Sequence, residues 1–120
     1  GGRPIIEHQA IGTLLAEIAI KLEVARTLGW KAAWAADHPA AYADRSIADL
    51  PLQTMARVFT ADAMHKVALK AAEVFGAMGV MRDMPLQQYV HDALVFVHAG
   101  AGNSVETLKI AEAVAGYERP

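Results

Sequence analysis

The sequence predicts an all-α domain, an antiparallel four-helix bundle with two long helices and two short ones, and three observations point to it. Apolar residues recur at three- and four-residue spacing through four segments, as they do on a helix with one buried face. Prolines and glycines fall mainly between those segments, where they end helices and turn the chain. The strict apolar–polar alternation of a half-buried strand occurs nowhere in the 120 residues.

The first helix spans about Pro4 to His38. Pro4 suits a first helical turn, and Ile11, Leu14, Leu15, Ile18, Leu22 and Ala25 form its apolar face. Glu17 and Lys21 have the spacing of an outward i,i+4 pair. Gly12 and Gly29 are expected to allow a close helix crossing. Trp30 and Trp34, among Ala32, Ala33, Ala35 and Ala36, are expected to pack against the bundle or a subunit contact. Asp37-His38-Pro39 ends the helix, because the residue before a proline disfavours helical backbone. Residues 39–50 carry Pro39, Asp44, Ser46 and Asp49 and read as an exposed connection.

Pro51 opens the second helix, with Met55, Val58, Phe59, Ala63, Val67, Ala71, Val74 and Phe75 inward. It stops at Gly76-Ala77-Met78-Gly79, where Gly79 is placed as a left-handed cap. Asp83 and Pro85 start a shorter helix whose inner face is Leu86, Val90, Ala93, Leu94 and Val97. The fourth helix starts near Asn103, whose spacing to Glu106 is that of a capping box, and carries Val105, Leu108, Ile110 and Val114. Ile18, Leu22, Phe59, Val67, Val74, Leu94 and Leu108 are the expected core. Between the last two helices lies Ala99-Gly100-Ala101-Gly102, where the backbone must turn sharply or approach something closely.

The chain is long enough for one core, and its 54% hydrophobic and 20% charged residues describe a folded domain. A net charge of -2 with both signs interspersed gives no electrostatic case for nucleic acid or an anionic membrane. No apolar run approaches a membrane span, since Glu17, Lys21, Glu23 and Arg26 interrupt the best candidate. The absence of cysteine excludes disulfides, thiolate metal sites and a cysteine nucleophile, and suits a cytoplasmic location. The opening Gly-Gly-Arg-Pro, without methionine, reads as a piece of a longer protein.

Five histidines raise the question of metal. His91 and His98 share a helix face two turns apart, too far to chelate one ion. Asp62 and His65 have the i,i+3 spacing of carboxylate-bridged di-iron bundles, but no second such motif accompanies them. No metal site is expected. Gly76-Ala77-Met78-Gly79 follows a helix and not a strand, so it is not a Rossmann fingerprint. It is either a helix cap or bare backbone against which a flat or phosphorylated ligand could lie.

Several stretches resemble the C-terminal helical domain of acyl-CoA dehydrogenases, the medium-chain enzymes above all. They are Ile6-Glu7-His8-Gln9-Ala10-Ile11, Leu15-Ala16-Glu17-Ile18-Ala19, Leu22-Glu23-Val24-Ala25-Arg26, Ala33-Trp34, Val74-Phe75-Gly76-Ala77-Met78-Gly79-Val80, Tyr89-Val90-His91-Asp92-Ala93 and Val97 to Ile110. The likeness covers nearly all of residues 1–120 in order. It implies two upstream domains, one helical and one β, an FAD between subunits, an acyl-CoA thioester substrate, and a homo- or hetero-oligomer, dimer or tetramer. The implied chemistry is that of fatty acid metabolism. FAD is expected in the whole flavoprotein and not on residues 1–120 alone.

Carried over position by position, the resemblance puts Gln9 on the adenine half of the flavin dinucleotide. Gly76 and Ala77 fall in a Gly-Gly segment approached by the partner subunit's cofactor, with Glu73 at a position usually occupied by glutamine. Ala99 to Asn103 align with an acidic residue-Gly-Thr-x-Gln segment, so Ala101 and Asn103 are also expected cofactor positions. The family's catalytic glutamate, which removes the substrate α-proton, belongs at position 99, and alanine has no proton acceptor. No catalytic base is therefore assigned. His98 is adjacent and reads as a helix-terminal histidine. Altered ligand-facing positions on a retained packing pattern leave an alternative, a non-catalytic subunit of a heteromeric complex.

Overall fold

The structure, a computed structural model, describes residues 2–42 and 51–117. Among them are four α-helices and no strand, as the apolar spacing requires: α1 (Gln9–Asp37), α2 (Leu52–Val74), α3 (Leu86–His98) and α4 (Gly102–Ala115). Short 3-10 turns occupy Ile5–Glu7, Pro39–Tyr42 and Gly76–Val80. The expected exposed positions Asp44, Ser46 and Asp49 lie outside the described residues. No helix among the described residues is long and apolar enough to cross a membrane.

Local chemistry sets most boundaries. His8 is extended (φ -82°, ψ 120°), so the Pro4 turn is separate from α1, and the helix starts at Gln9 rather than at Pro4. At the other end the His38 backbone N–H donates to the Trp34 carbonyl at 3.0 Å. The His38 ring stacks on Trp34 with centroids 4.5 Å apart. Pro51 and Pro85 immediately precede α2 and α3, and their carbonyls accept from the N–H groups of Met55 and Tyr89 at 2.9 and 3.1 Å. A proline there gives up only a donor that a helix start leaves unpaired.

Helix α2 is the hub. It packs against α1 on one side and against α3 and α4 on the other, whereas α1 touches neither α3 nor α4 among the described residues. Glu17, in the first third of α1, pairs with Lys70 near the end of α2 at 2.6 Å, so these two helices run antiparallel. That cross-helix pair replaces the expected Glu17–Lys21 pair. The Lys70 hydrogen bond and charge hold the Glu17 carboxyl below its ordinary pKa, and Lys21 adds a smaller pull in the same direction. The described residues extend 58 × 27 × 23 Å, with the ~44 Å of the 29-residue α1 as the longest element.

The core differs from the one expected. Its buried residues are Ala25, Ala32, Ala56, Ala61, Ala63, Ala68 and Leu86, with Gly79. Ile18, Val67 and Val74 are half-buried. Leu22, Phe59, Leu94 and Leu108 are exposed, at 39%, 38%, 43% and 46%. The face of α1 that meets α2 is Ile11, Leu14, Ile18, Ala25, Leu28 and Ala32, which leaves Leu15 and Leu22 on the neighbouring open stripe. Phe59 lies on the outer stripe of α2 with Asp62, Lys66, Leu69 and Glu73. In α4 the half-buried face is Asn103, Glu106, Ile110 and Ala113 rather than Val105, Leu108 and Val114. Helical periodicity finds apolar residues on a face but not whether a neighbour in the same chain covers it.

Trp30 and Trp34 are likewise exposed, at 67% and 49%, with Trp34 stacked on His38. Gly29 does not mark a close crossing, for an added Cβ would meet nothing within 4 Å. The close approach is at Gly79, where a Cβ would overlap the Ala72 backbone carbonyl. Gly76, not Gly79, takes the left-handed backbone after α2, with φ +57°.

Candidate functional site

The turn between α3 and α4 is built from the outside in. The Gly102 N–H donates to the Ala99 carbonyl at 3.2 Å, closing a four-residue turn. Its second residue, Gly100, has φ +65°, and Ala101 follows at φ -75°, ψ -9°. A positive φ at that place is the primed-turn geometry that glycine supplies without steric cost. Gly102 has φ +75° and opens α4. An added Cβ at Gly102 would meet nothing within 4 Å, and at Gly100 only Arg57 Nη2 at 3.8 Å. Backbone conformation, not close approach, is what the two glycines provide.

Arg57 holds this turn against α2. Its Nη2 donates to the Ala99 carbonyl and its Nη1 donates to Asn103 Oδ1 at 3.3 Å. Asn103 Nδ2 in turn donates to the Val58 carbonyl at 3.2 Å, and the guanidinium lies 6.0 Å from the centre of the Phe96 ring. Asn103 is therefore not the cap of α4. Ala101 takes that place without a side-chain hydrogen bond, and Glu106 pairs with Lys109 at 3.0 Å instead of closing a capping box. A cross-helix amide with both its groups satisfied outcompetes a local cap.

Sequence reasoning missed Arg57, although it left a signal. The residue interrupts the apolar stretch Met55 to Phe59 and has no acidic residue three or four positions away on its own helix. A charge so placed needs a partner from elsewhere in the fold.

The six expected cofactor positions fall into two groups. Ala101 and Asn103 lie beside the first turns of α2. Glu73, Gly76 and Ala77 lie exposed at its far end, and sixteen helical residues put Glu73 ~24 Å from Arg57. Gln9, exposed on the first turn of α1, belongs to that far end, because α1 and α2 run antiparallel with Glu17 level with Lys70. Ala99 and His98 are exposed at the near end. Among the described residues no three metal-ligating side chains stand together, and Asp62 is paired with Lys66 at 2.7 Å.

Comparison with known proteins assigns the arrangement to a family. The family model described as acyl-CoA dehydrogenase, C-terminal domain, matches residues 1–115. A 3-sulfinopropanoyl-CoA desulfinase of Paraburkholderia xenovorans (strain LB400) is 33% identical over 118 residues, 98% of this chain and 28% of the relative. A cyclohexane-1-carbonyl-CoA dehydrogenase of Geobacter metallireducens is 34% identical over 114 residues, 94% of this chain and 28% of the relative. An acyl-CoA dehydrogenase of Bacillus subtilis (strain 168) is 32% identical over 115 residues, 96% and 28%. No solved structure matches the chain significantly. The chain thus spans a little over a quarter of the length of these relatives. It belongs to the acyl-CoA dehydrogenase family, as a C-terminal helical domain.

Proposed function

We propose that residues 1–120 are the C-terminal domain of a longer flavoprotein that acts on an acyl-CoA thioester, and that they contribute to FAD binding and to subunit contacts. The observation that carries this reading is the mismatch between apolar content and core. Large side chains from Leu22 and Trp30 to Phe59, Leu94 and Leu108 stand exposed on faces that nothing in the described chain covers, while the buried residues are mostly alanines. Exposed apolar surface of this extent marks a face completed by other protein or by a ligand.

The positions expected to meet FAD fit it in part. Gln9 offers an exposed amide, and Gly76 and Ala77 offer accessible backbone with little side-chain cover at the end of α2. Glu73 fits less well, because an ionised carboxylate cannot donate a hydrogen bond where glutamine can. The ~24 Å between the two groups supports a cofactor site that draws each group together with residues outside this chain. The bound flavin would accept a hydride from the substrate Cβ. On this chain's side the turn at Ala99–Gly102 presents a methyl where a carboxylate would take the α-proton. His98 ends α3 as an exposed, helix-terminal residue and is assigned no catalytic role.

Two consequences follow from Ala99. In a dehydrogenase the base comes from elsewhere in the protein. In the alternative reading, supported by Ala77, Ala99, Ala101 and Glu73 together, the chain belongs to a subunit that has lost the chemistry and serves an assembly. The relatives' named reactions include loss of a sulfinate group as well as dehydrogenation, so the substrate panel should contain both kinds of thioester. The test is flavin absorbance of the purified whole protein, followed by bleaching or sulfite release with 3-sulfinopropanoyl-CoA, cyclohexane-1-carbonyl-CoA and straight-chain acyl-CoAs. A yellow protein that turns over one of them supports the first reading, and a yellow or colourless protein inert to all supports the second. Residues 1–120 expressed alone should retain no flavin, since part of a site cannot replace the whole set of contacts.

A further inference from the structure

From the Arg57 geometry we infer that this residue positions the acyl-facing turn, fixing where residue 99 stands and making that place electropositive. The inference rests on the reading of the turn as part of a flavoprotein's substrate site. Three contacts carry it. The guanidinium donates to the Ala99 carbonyl, donates to Asn103 Oδ1 at 3.3 Å, and lies against Phe96 of the helix that leads into the turn. The Ala99 carbonyl also accepts from the Gly102 N–H, so both its lone pairs are used and the peptide carrying position 99 is held from two sides. Gly100 and Gly102 carry no side chain that could hold the turn, and α4 begins without a side-chain cap. Arg57 and Asn103 are therefore the side chains that tie this turn to α2.

The planar fork of arginine suits the task. Its two terminal nitrogens reach two acceptors on either side of the turn, whereas the single ammonium of lysine has no fixed fork to span them. The charge matters as well as the shape. Among the described residues Arg57 forms no ion pair with a carboxylate. The other charged or titratable groups on these elements are His98, Asp92, His91 and Tyr89 on α3, Glu106, Lys109 and Glu112 on α4, and Asp62, His65, Lys66, Lys70 and Glu73 further along α2. Asp62 is tied to Lys66, Glu106 to Lys109 and Lys70 to Glu17. A carboxylate placed at position 99 would stand beside an uncompensated cation and stay ionised to lower pH than usual. Arg57 thus makes position 99 a poor place for a strongly basic carboxylate, in keeping with the alanine found there.

Two measurements on the whole protein test this, and neither needs turnover. Amide hydrogen exchange in Arg57→Met should rise about tenfold at Gly100, Gly102 and Asn103, with α1 peptides unchanged. Arg57→Lys should give a smaller rise at the same amides. If Arg57→Met loses protection in α1 as well, Arg57→Lys alone decides. A rise confined to the turn supports the positioning role, and wild-type exchange there overturns it. The second measurement follows the carboxyl carbon introduced by Ala99→Glu in 13C NMR. Its titration midpoint should move up by about one pH unit when Arg57→Met is added. Equal midpoints would overturn the electrostatic half of the inference, since a purely structural residue would leave them alike. Flavin absorbance of the wild-type protein is recorded in parallel. A colourless preparation would count against the flavoprotein reading, while the exchange and titration results would still decide the role of Arg57.

Discussion

The two sides of α2 are joined to their neighbours in different ways. Towards α1 the contact is an apolar seam, Ile11, Leu14, Ile18 and Leu28 beside the small, buried Ala25 and Ala32, with the Glu17–Lys70 pair at its edge. Towards the α3–α4 turn the contact is polar and directional, an arginine and an asparagine spanning more than forty residues of sequence. Small side chains let backbones approach closely but specify little about register. Directional hydrogen bonds fix one arrangement of one turn. The seam supports packing, and the clasp supports placement of the loop proposed to face the substrate.

The largest effect expected is in the turn after α2, where space is scarcest. At Gly79 an added Cβ would run into the Ala72 carbonyl, and backbone cannot step aside as a flexible side chain can. Gly79→Ala should cost about 3 kcal/mol, at the upper end of overpacking costs. Denaturant unfolding of the whole protein would show this as a lowered midpoint with an unchanged slope. A wild-type midpoint would mean that the turn after α2 is not held against Ala72, and the comparison would lose its tightest backbone contact.

Helix existence and most boundaries were legible from the residues, because proline and glycine act locally. Pro51, Pro85 and Gly100 mark ends where the backbone itself refuses to continue. The core was not legible in the same way. Leu22 and Phe59 keep helical spacing with buried residues and still face outward, for periodicity is a property of one helix and burial is a property of two. Asn103 shows the same limit on a smaller scale. Its spacing to Glu106 is that of a cap, yet a carbonyl and a guanidinium from a helix some 45 residues earlier claim the amide. Of the expected cofactor positions, the sequence order alone could not show that α2 separates Gln9, Glu73, Gly76 and Ala77 from Ala101 and Asn103.

A middle-sized effect sharpens the polar side. Asn103→Ala leaves the Val58 carbonyl and one arm of Arg57 without their partner in a half-buried place, which should cost about 1–2 kcal/mol. Asn103→Asp keeps an acceptor for Arg57, now charged, and loses only the donor to Val58. It should therefore fall between wild type and Asn103→Ala in thermal unfolding. If Asn103→Asp were the less stable of the two, repulsion between its carboxylate and the Val58 carbonyl would outweigh the retained contact to Arg57, and the Arg57 bond could not be the main tie of the clasp.

The smallest effect belongs to the ion pair at the edge of the seam. Glu17 and Lys70 are partly exposed, with side chains 40% and 26% accessible, so solvent screens their attraction. The sign is nonetheless definite. Lys70 lowers the Glu17 pKa in the folded protein, so the folded state binds that proton more weakly than the unfolded chain does. The stabilisation is present above the ordinary carboxylate pKa and disappears as pH falls through the folded value. Glu17→Gln should lower the unfolding temperature slightly at pH 7, by less than Asn103→Ala does, and the gap to wild type should close below about pH 4. Raising ionic strength towards 1 M at pH 7 should narrow the same gap, since the screening length there is only about 3 Å. A gap that persists at low pH would assign the loss to packing of the Glu17 side chain along α1, and the seam would then be held by apolar contact throughout.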